Sequence, residues 1–137
     1  MKKLLAGLTS VLLLAEVAVF YLAASGAFMH VSDEEAFMPH RVLGIAIFVF
    51  AVVCLVVAAL ARMPGRLIGM VALIAGLTLV QGMIRALAKS FGEAEAGHIV
   101  FGLHGMNALA IFGVTVWVAQ RSLQIAWRRA ELSRTAS

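Results

Sequence analysis

The chain has one cysteine, two prolines and few charges: only 13% of its 137 residues are Asp, Glu, Lys or Arg. Each scarcity excludes something. Cys54, alone in an apolar run, offers neither an internal disulfide nor a CxxC metal site. Pro39 and Pro64 lie at the borders of apolar runs, where a ring that cannot donate a hydrogen bond does least damage to a helix. No Ser-His-Asp order, phosphate loop or acid pair in a plausible cleft is present, so no soluble catalytic apparatus is visible. The 11 basic residues against 7 acidic ones form no separate basic domain with aromatic motifs, which argues against nucleic acid as a partner.

What the chain does have is apolar surface. It is 63% hydrophobic with a mean hydropathy of +1.01, and its apolar residues come in blocks rather than amphipathic stripes. Residues 4–24, 42–61, 67–87 and 99–119 are each about 20 long, the length an α-helix needs to cross a hydrocarbon layer. The first follows Lys2 and Lys3 and ends in Ala23-Ala-Ser-Gly-Ala27, as a secretory signal would. Its apolar stretch exceeds an ordinary signal core, so it is expected to remain as a helix. The reading is an all-α integral membrane protein: a four-transmembrane-helix antiparallel bundle over residues 1–120, followed by a basic, partly helical cytoplasmic tail over 121–137.

The pattern His40-Arg-Val-Leu-Gly-Ile-Ala-Ile-Phe48 returns as His104-Gly-Met-Asn-Ala-Leu-Ala-Ile-Phe112. Upstream, residues 14–25 align with residues 79–90 and set Glu16 against Gln81. This spacing reads as two repeated helical hairpins. Basic residues orient them. With the N-terminus cytoplasmic, Lys2, Lys3, Arg62, Arg66, Arg121, Arg128, Arg129 and Arg134 lie inside, and only Arg41, Arg85 and Lys89 lie at or near the outside. Both termini are therefore expected in the cytoplasm.

Local signals fill in the elements. Ser32-Asp-Glu-Glu35 has capping-box spacing, and Ser90 and Glu93 repeat it before the fourth span. Pro39 is expected to push Met38 toward extended geometry, so that a helix kinks or restarts there. The turn from Arg62 to Arg66 is short, making its flanking spans antiparallel neighbours. Gly65, Gly69, Ala72 and Gly76 form a strip suited to close helix packing. Thr78, Gln81, Arg85 and Lys89 form a polar ridge on the third span. His98 lies six residues before His104, about 120° round a helix, so the two cannot share one ligand atom. His30 and His98 read as loop or interfacial residues, Trp117 as membrane-belt packing, and residues 121–130 as a helix suited to an anionic leaflet.

Parallel repeats are related by an axis along the membrane normal. That axis brings His40 and His104 to similar depth, facing each other above Gly44 and Ala108. Two facing imidazoles with room between them suit bis-histidine haem b, and Arg41 and Arg85 at the rim could neutralise its propionates. Zinc would need further ligands from Glu16, Glu35 or His98, for which no enforcing spacing exists. Glu16, Gln81 and Asn107 form an intramembrane polar cluster. A carboxylate at that depth costs a few kcal/mol unless neutral, paired or hydrated.

Three resemblances bear on these residues. His40-Arg41 with His104 resembles the histidine arrangement of one four-helix half of haem A synthase, which implies haem ligation. The family's E-x-x-H-R acid position is occupied here by Phe37. Leu14-Ala-Glu16-Val resembles the first-helix glutamate motif of small multidrug-resistance transporters, which implies a proton-coupled exporter; their later tryptophan and glycine signature is absent. Over its whole length, through F-x-P-H-R-x-L-G at residues 37–44 and H-x-x-N-x-L-A at 104–110, the chain resembles an uncharacterised family of small four-helix bacterial membrane proteins. That resemblance implies a bacterial cytoplasmic (inner) membrane and a shared architecture. Three functions stay open: haem b binding for electron transfer or haem handling, a cofactor-free accessory or structural subunit, and an exporter using Glu16. The expected partners are the lipid bilayer and a second copy or larger membrane complex.

Overall fold

The structure, a computed structural model, describes the backbone of residues 1–91 and 95–135 and the side chains of residues 1–91 and 96–127. The proposed Ser90–Glu93 capping pair, and the side chains of Arg128, Arg129 and Arg134, lie outside the described residues. The described residues form five helices in order: α1 (Lys2–Gly26), α2 (Asp33–Ala36), α3 (Met38–Leu60), α4 (Gly65–Ser90) and α5 (Glu95–Thr135). All but α2 contain segments long and apolar enough to cross a membrane. The helical backbone of α5 continues past residue 120 into the basic segment without interruption.

The helix ends follow from local chemistry. Ser32 caps α2, its Oγ accepting from the Glu35 amide at 3.4 Å and donating to the Glu35 carboxylate at 3.3 Å. Glu35 thus returns to the capping hydroxyl rather than to the Ser32 amide of a reciprocal capping box. The break between α2 and α3 falls at Phe37 (φ −98°, ψ 6°), and Met38 is helical. The expectation of an extended Met38 is therefore corrected. Pro39 sits in the first turn of α3, where its missing N–H would have had no partner anyway, and the chain turns one residue earlier. Gly26 closes the other side of this corner. A Cβ there would stand 2.8 Å from the Ala36 carbonyl oxygen, so only glycine lets the end of α1 meet α2 so closely.

At the opposite end, α3 stops in a Schellman turn: the Met63 amide donates to Ala58 O at 3.1 Å and the Arg62 amide to Ala59 O at 2.9 Å. Met63 is buried and pins the turn to the core. Arg62 adopts φ 49°, the left-handed position that glycine usually fills. A side chain there costs about 1 kcal/mol, part of which glycine's greater loss of freedom offsets. Arg62→Gly is thus expected to stabilise the protein by about 0.5 kcal/mol, read as a higher midpoint in detergent-induced unfolding. A lower midpoint would contradict this account.

The long helices form a ring in which α1 packs on α3 and α5, and α4 packs on α3 and α5. Neighbours run in opposite directions. Along α1 and α5, Lys3 meets Trp127, Glu16 meets Thr115, and Phe20 meets Phe112. Packing within the ring is uneven. Near the chain termini, Leu5, Leu12, Ala51, Cys54, Ala58, Leu67, Val71, Ile74 and Val118 form one buried cluster. Toward the other end glycines and alanines replace these side chains, and the centre opens.

The small-residue strip of α4 does not take part. Gly65, Gly69, Ala72 and Gly76 are exposed, and a Cβ at any of the three glycines would meet no atom within 4 Å. The expected close packing through this strip is corrected: within the chain, α4 turns Leu67, Val71 and Ile74 inward. A four-helix ring leaves a central space that bulky side chains must fill, and a glycine face there would leave a void.

Candidate functional site

A cavity of about 460 Å³ occupies the open half of the bundle, walled by α1, α3, α4 and α5. Its lining is mostly apolar, including Val19, Phe20, Ile47, Phe48 and Ile111, with Glu16, His40, Arg41, Gln81, Arg85 and His104 among its polar groups. Small residues make the space. Gly44, Gly82, Gly105 and Ala108 line it, and a Cβ added at any of these glycines would meet nothing within 4 Å.

His40 and His104 face the same space, their ring centroids 6.2 Å apart and their planes tilted by 51°. The two rings are held differently. His40 Nδ1 lies 3.0 Å from Val19 O. A carbonyl can only accept, so Nδ1 carries the proton and, in the neutral ring, Nε2 holds the lone pair. Such a bond to a backbone carbonyl is how metal-binding histidines are commonly oriented. His104 instead stacks on Phe101, one helical turn earlier, at 5.2 Å and 6°, and its buried Nδ1 has no partner. The aligned halves of the sequence are therefore not equivalent here, since His40 Nδ1 is bonded to a backbone carbonyl and His104 Nδ1 is not.

The remaining polar groups join helices. Thr115 Oγ1 donates to Glu16 Oε1 at 2.7 Å across the α1–α5 contact. Glu16 is only 3% exposed, and its Oε2 is buried without a partner. Gln81 Nε2 donates to His104 O at 2.8 Å, and Asn107 Nδ2 donates to Leu77 O at 2.9 Å and to Gln81 Oε1. These bonds set the register of α4 on α5. The Thr78 hydroxyl is spent on Ile74 O, 2.7 Å away in its own helix. Arg41, at the rim, donates to the Glu34 carbonyl oxygen and so ties α2 to α3.

The structure thus brings Glu16, His40, Arg41, Gly44, Gln81, Arg85, His104 and Ala108 to one cavity, with Asn107 behind Gln81. Lys89 of the polar ridge is exposed and outside the cavity lining, as are His30 and His98. Sequence reasoning did not pair Thr115 with Glu16, although Thr115 shares the face of His104, Asn107, Ala108 and Ile111. Nor did it reach Phe101, which precedes His104 by three residues, or the Val19 carbonyl, which leaves no trace in residue type. Among the described residues no group of three or more His, Cys, Asp or Glu could hold a metal ion, so a tetrahedral zinc site is not assembled.

No curated protein and no solved structure matches the chain. A family match covers residues 20–88, from the last two turns of α1 through nearly all of α4. It takes in His40, Arg41, Gly44, Gln81 and Arg85, and leaves Glu16, His104 and Thr115 outside. With half of its length matched in this way, the chain belongs to the family of unknown function DUF6220.

Proposed function

We propose that this protein binds haem b in the cavity between its four long helices, where His40 and His104 would be the residues that hold its iron, for electron transfer or haem handling. The observation that carries the reading is the 6.2 Å between ring centroids. An imidazole nitrogen binds a metal at about 2 Å, so a 6.2 Å separation of centroids would leave room for one metal to be held by both rings. Three further features fit. His40 keeps its proton on Val19 O and leaves Nε2 for a ligand bond. Gly44, Gly82 and Gly105 leave the adjoining wall without side chains. The guanidinium groups of Arg41 and Arg85 supply positive charge for carboxylates, with Arg41 already oriented by the Glu34 carbonyl. When bound, the group would supply one-electron chemistry. The chain's own contribution is to orient two nitrogens, exclude water with Phe20, Phe48 and Ile111, and neutralise acid groups at the rim.

In this reading the protein is a multi-pass protein of the bacterial inner membrane, a duplicated hairpin with both termini cytoplasmic. Its orientation is supported by Lys2, Lys3, Arg62, Arg66 and Arg121, all at the end of the bundle that holds the N-terminus and the α3–α4 turn. The test is an absorption spectrum of the protein extracted from membranes with haem supplied, oxidised and then dithionite-reduced. A Soret band that shifts on reduction is expected. Its absence under conditions that retain haem in other membrane cytochromes would sink the proposal.

A second reading, a cofactor-free accessory subunit, is favoured by the cross-helix bonds of Glu16, Gln81, Asn107 and His40, which pair helices without any ligand. A third, a proton-coupled exporter of lipophilic cations, is favoured by the unpartnered Glu16 Oε2 of a cavity-lining residue. It requires cation binding that Glu16→Gln abolishes.

A further inference from the structure

Trp117 lies near the terminus-bearing end of the bundle, half-buried on α5, with two guanidinium groups beside its ring. Arg66, in the first turn of α4, has its Cζ 5.6 Å from the ring centroid, and Arg121, one turn beyond Trp117, has its Cζ at 5.9 Å. Each contact is favourable by itself, because the face of an indole attracts a cation. Together they hold two like charges around one ring. They stand at most about 11.5 Å apart, and like charges at that range repel, which favours an anion beside them. Among the described residues none is there: their acidic side chains are Glu16, inside the bundle, and Asp33, Glu34 and Glu35, at its far end. Arg121 does have one neutral partner, donating to Gln124 Oε1 at 3.0 Å, and this orients its planar fork.

We propose that Arg66, Arg121 and Trp117 form a binding site for the phosphate of an anionic phospholipid in the leaflet facing this end of the bundle. The chemistry of the three groups suits that ligand. Guanidinium forks bind phosphate oxygens in pairs, which a lysine ammonium does not. An indole at the boundary of the hydrocarbon layer covers the glycerol and upper acyl region while its polar edge meets the headgroups. Basic pockets between transmembrane helices on one side of the membrane are where such headgroups are held. Arg62, exposed in the α3–α4 turn four residues before Arg66, raises the positive potential of the same end. The site lies outside the central cavity and is independent of the haem reading.

The full-length protein in a zwitterionic detergent is titrated with phosphatidylglycerol, phosphatidylcholine or inorganic phosphate, and bound lipid is counted by native mass spectrometry. Phosphatidylglycerol is expected to bind at least about tenfold more tightly than phosphatidylcholine. Arg66→Gln with Arg121→Gln should erase that preference, whereas Lys2→Gln with Lys3→Gln, which removes the same charge at the same end, should leave most of it. Arg66→Lys with Arg121→Lys keeps the charge but not the forks and should retain only part. All four side chains of the glutamine variants are on the surface or half-exposed, so folding is not at stake. Equal losses in the two glutamine pairs would reduce the effect to general surface charge and overturn the site. Competition by millimolar inorganic phosphate would overturn the lipid as its ligand.

Discussion

His104→Phe is expected to remove one of the two histidines that would hold haem, and so to weaken haem binding, while leaving the fold as stable as before, or about 1 kcal/mol more stable. The two effects separate because of what the ring does in the absence of a ligand. His104 Nδ1 is buried with no partner, and its ring already stacks on Phe101. An apolar ring of similar shape keeps the stack and removes an unsatisfied polar atom, whose burial is itself costly. The same change at His40 gives up the bond to Val19 O, so it should lower stability slightly as well as remove a ligand. Either single variant should show altered haem coordination, and the double variant should retain no haem. Spectra of the variants, set beside their unfolding midpoints in detergent, check both parts. If the midpoints change while the wild-type protein has no spectrum to lose, the histidines serve helix pairing and the accessory-subunit reading takes over.

Thr115→Val is expected to destabilise the protein by about 2 kcal/mol, a large effect for the loss of one hydroxyl. Hydrogen bonds between transmembrane helices average roughly 0.6 kcal/mol and reach about 1.7 kcal/mol, so the bond alone falls short of this figure. The remainder comes from Glu16. It has only one satisfied oxygen, supplied by Thr115, and without it the whole carboxyl group would be buried unpartnered at a cost of about 1–3 kcal/mol. Glu16→Leu should be far milder, because Thr115 can turn back to a carbonyl in its own helix. Combining the two changes should cost about what Glu16→Leu costs alone, making the pair strongly non-additive. Unfolding of the four proteins in a detergent series measures the coupling. Additive losses would show that Thr115 and Glu16 act separately.

Much of the candidate site was legible from residue types. The matched patterns at His40 and His104 put two imidazoles on helices of the same sense, and the structure sets them 6.2 Å apart on one cavity. Glu16, Gln81 and Asn107 announced themselves as polar groups in apolar runs, where each needs a partner. The partners were harder to read. Thr115 is ninety-nine residues from Glu16, and a threonine in an apolar helix ordinarily bonds its own backbone, as Thr78 does. Among the described residues the α4 glycine strip packs on no other helix; spacing shows that small residues share a face without showing which way that face turns.

What the linear chain determined is the set of apolar segments, their order and the identity of the polar residues within them, because helix length against hydrocarbon thickness is a local property. Which face of each helix turns inward was decided only in the assembled ring. There Leu67, Val71 and Ile74 fill one half and glycines leave the other half open. The asymmetry between the two histidines is likewise tertiary. Their sequence contexts are nearly the same, and the packing of α1 against α3 gives His40 Nδ1 the carbonyl partner that His104 Nδ1 lacks.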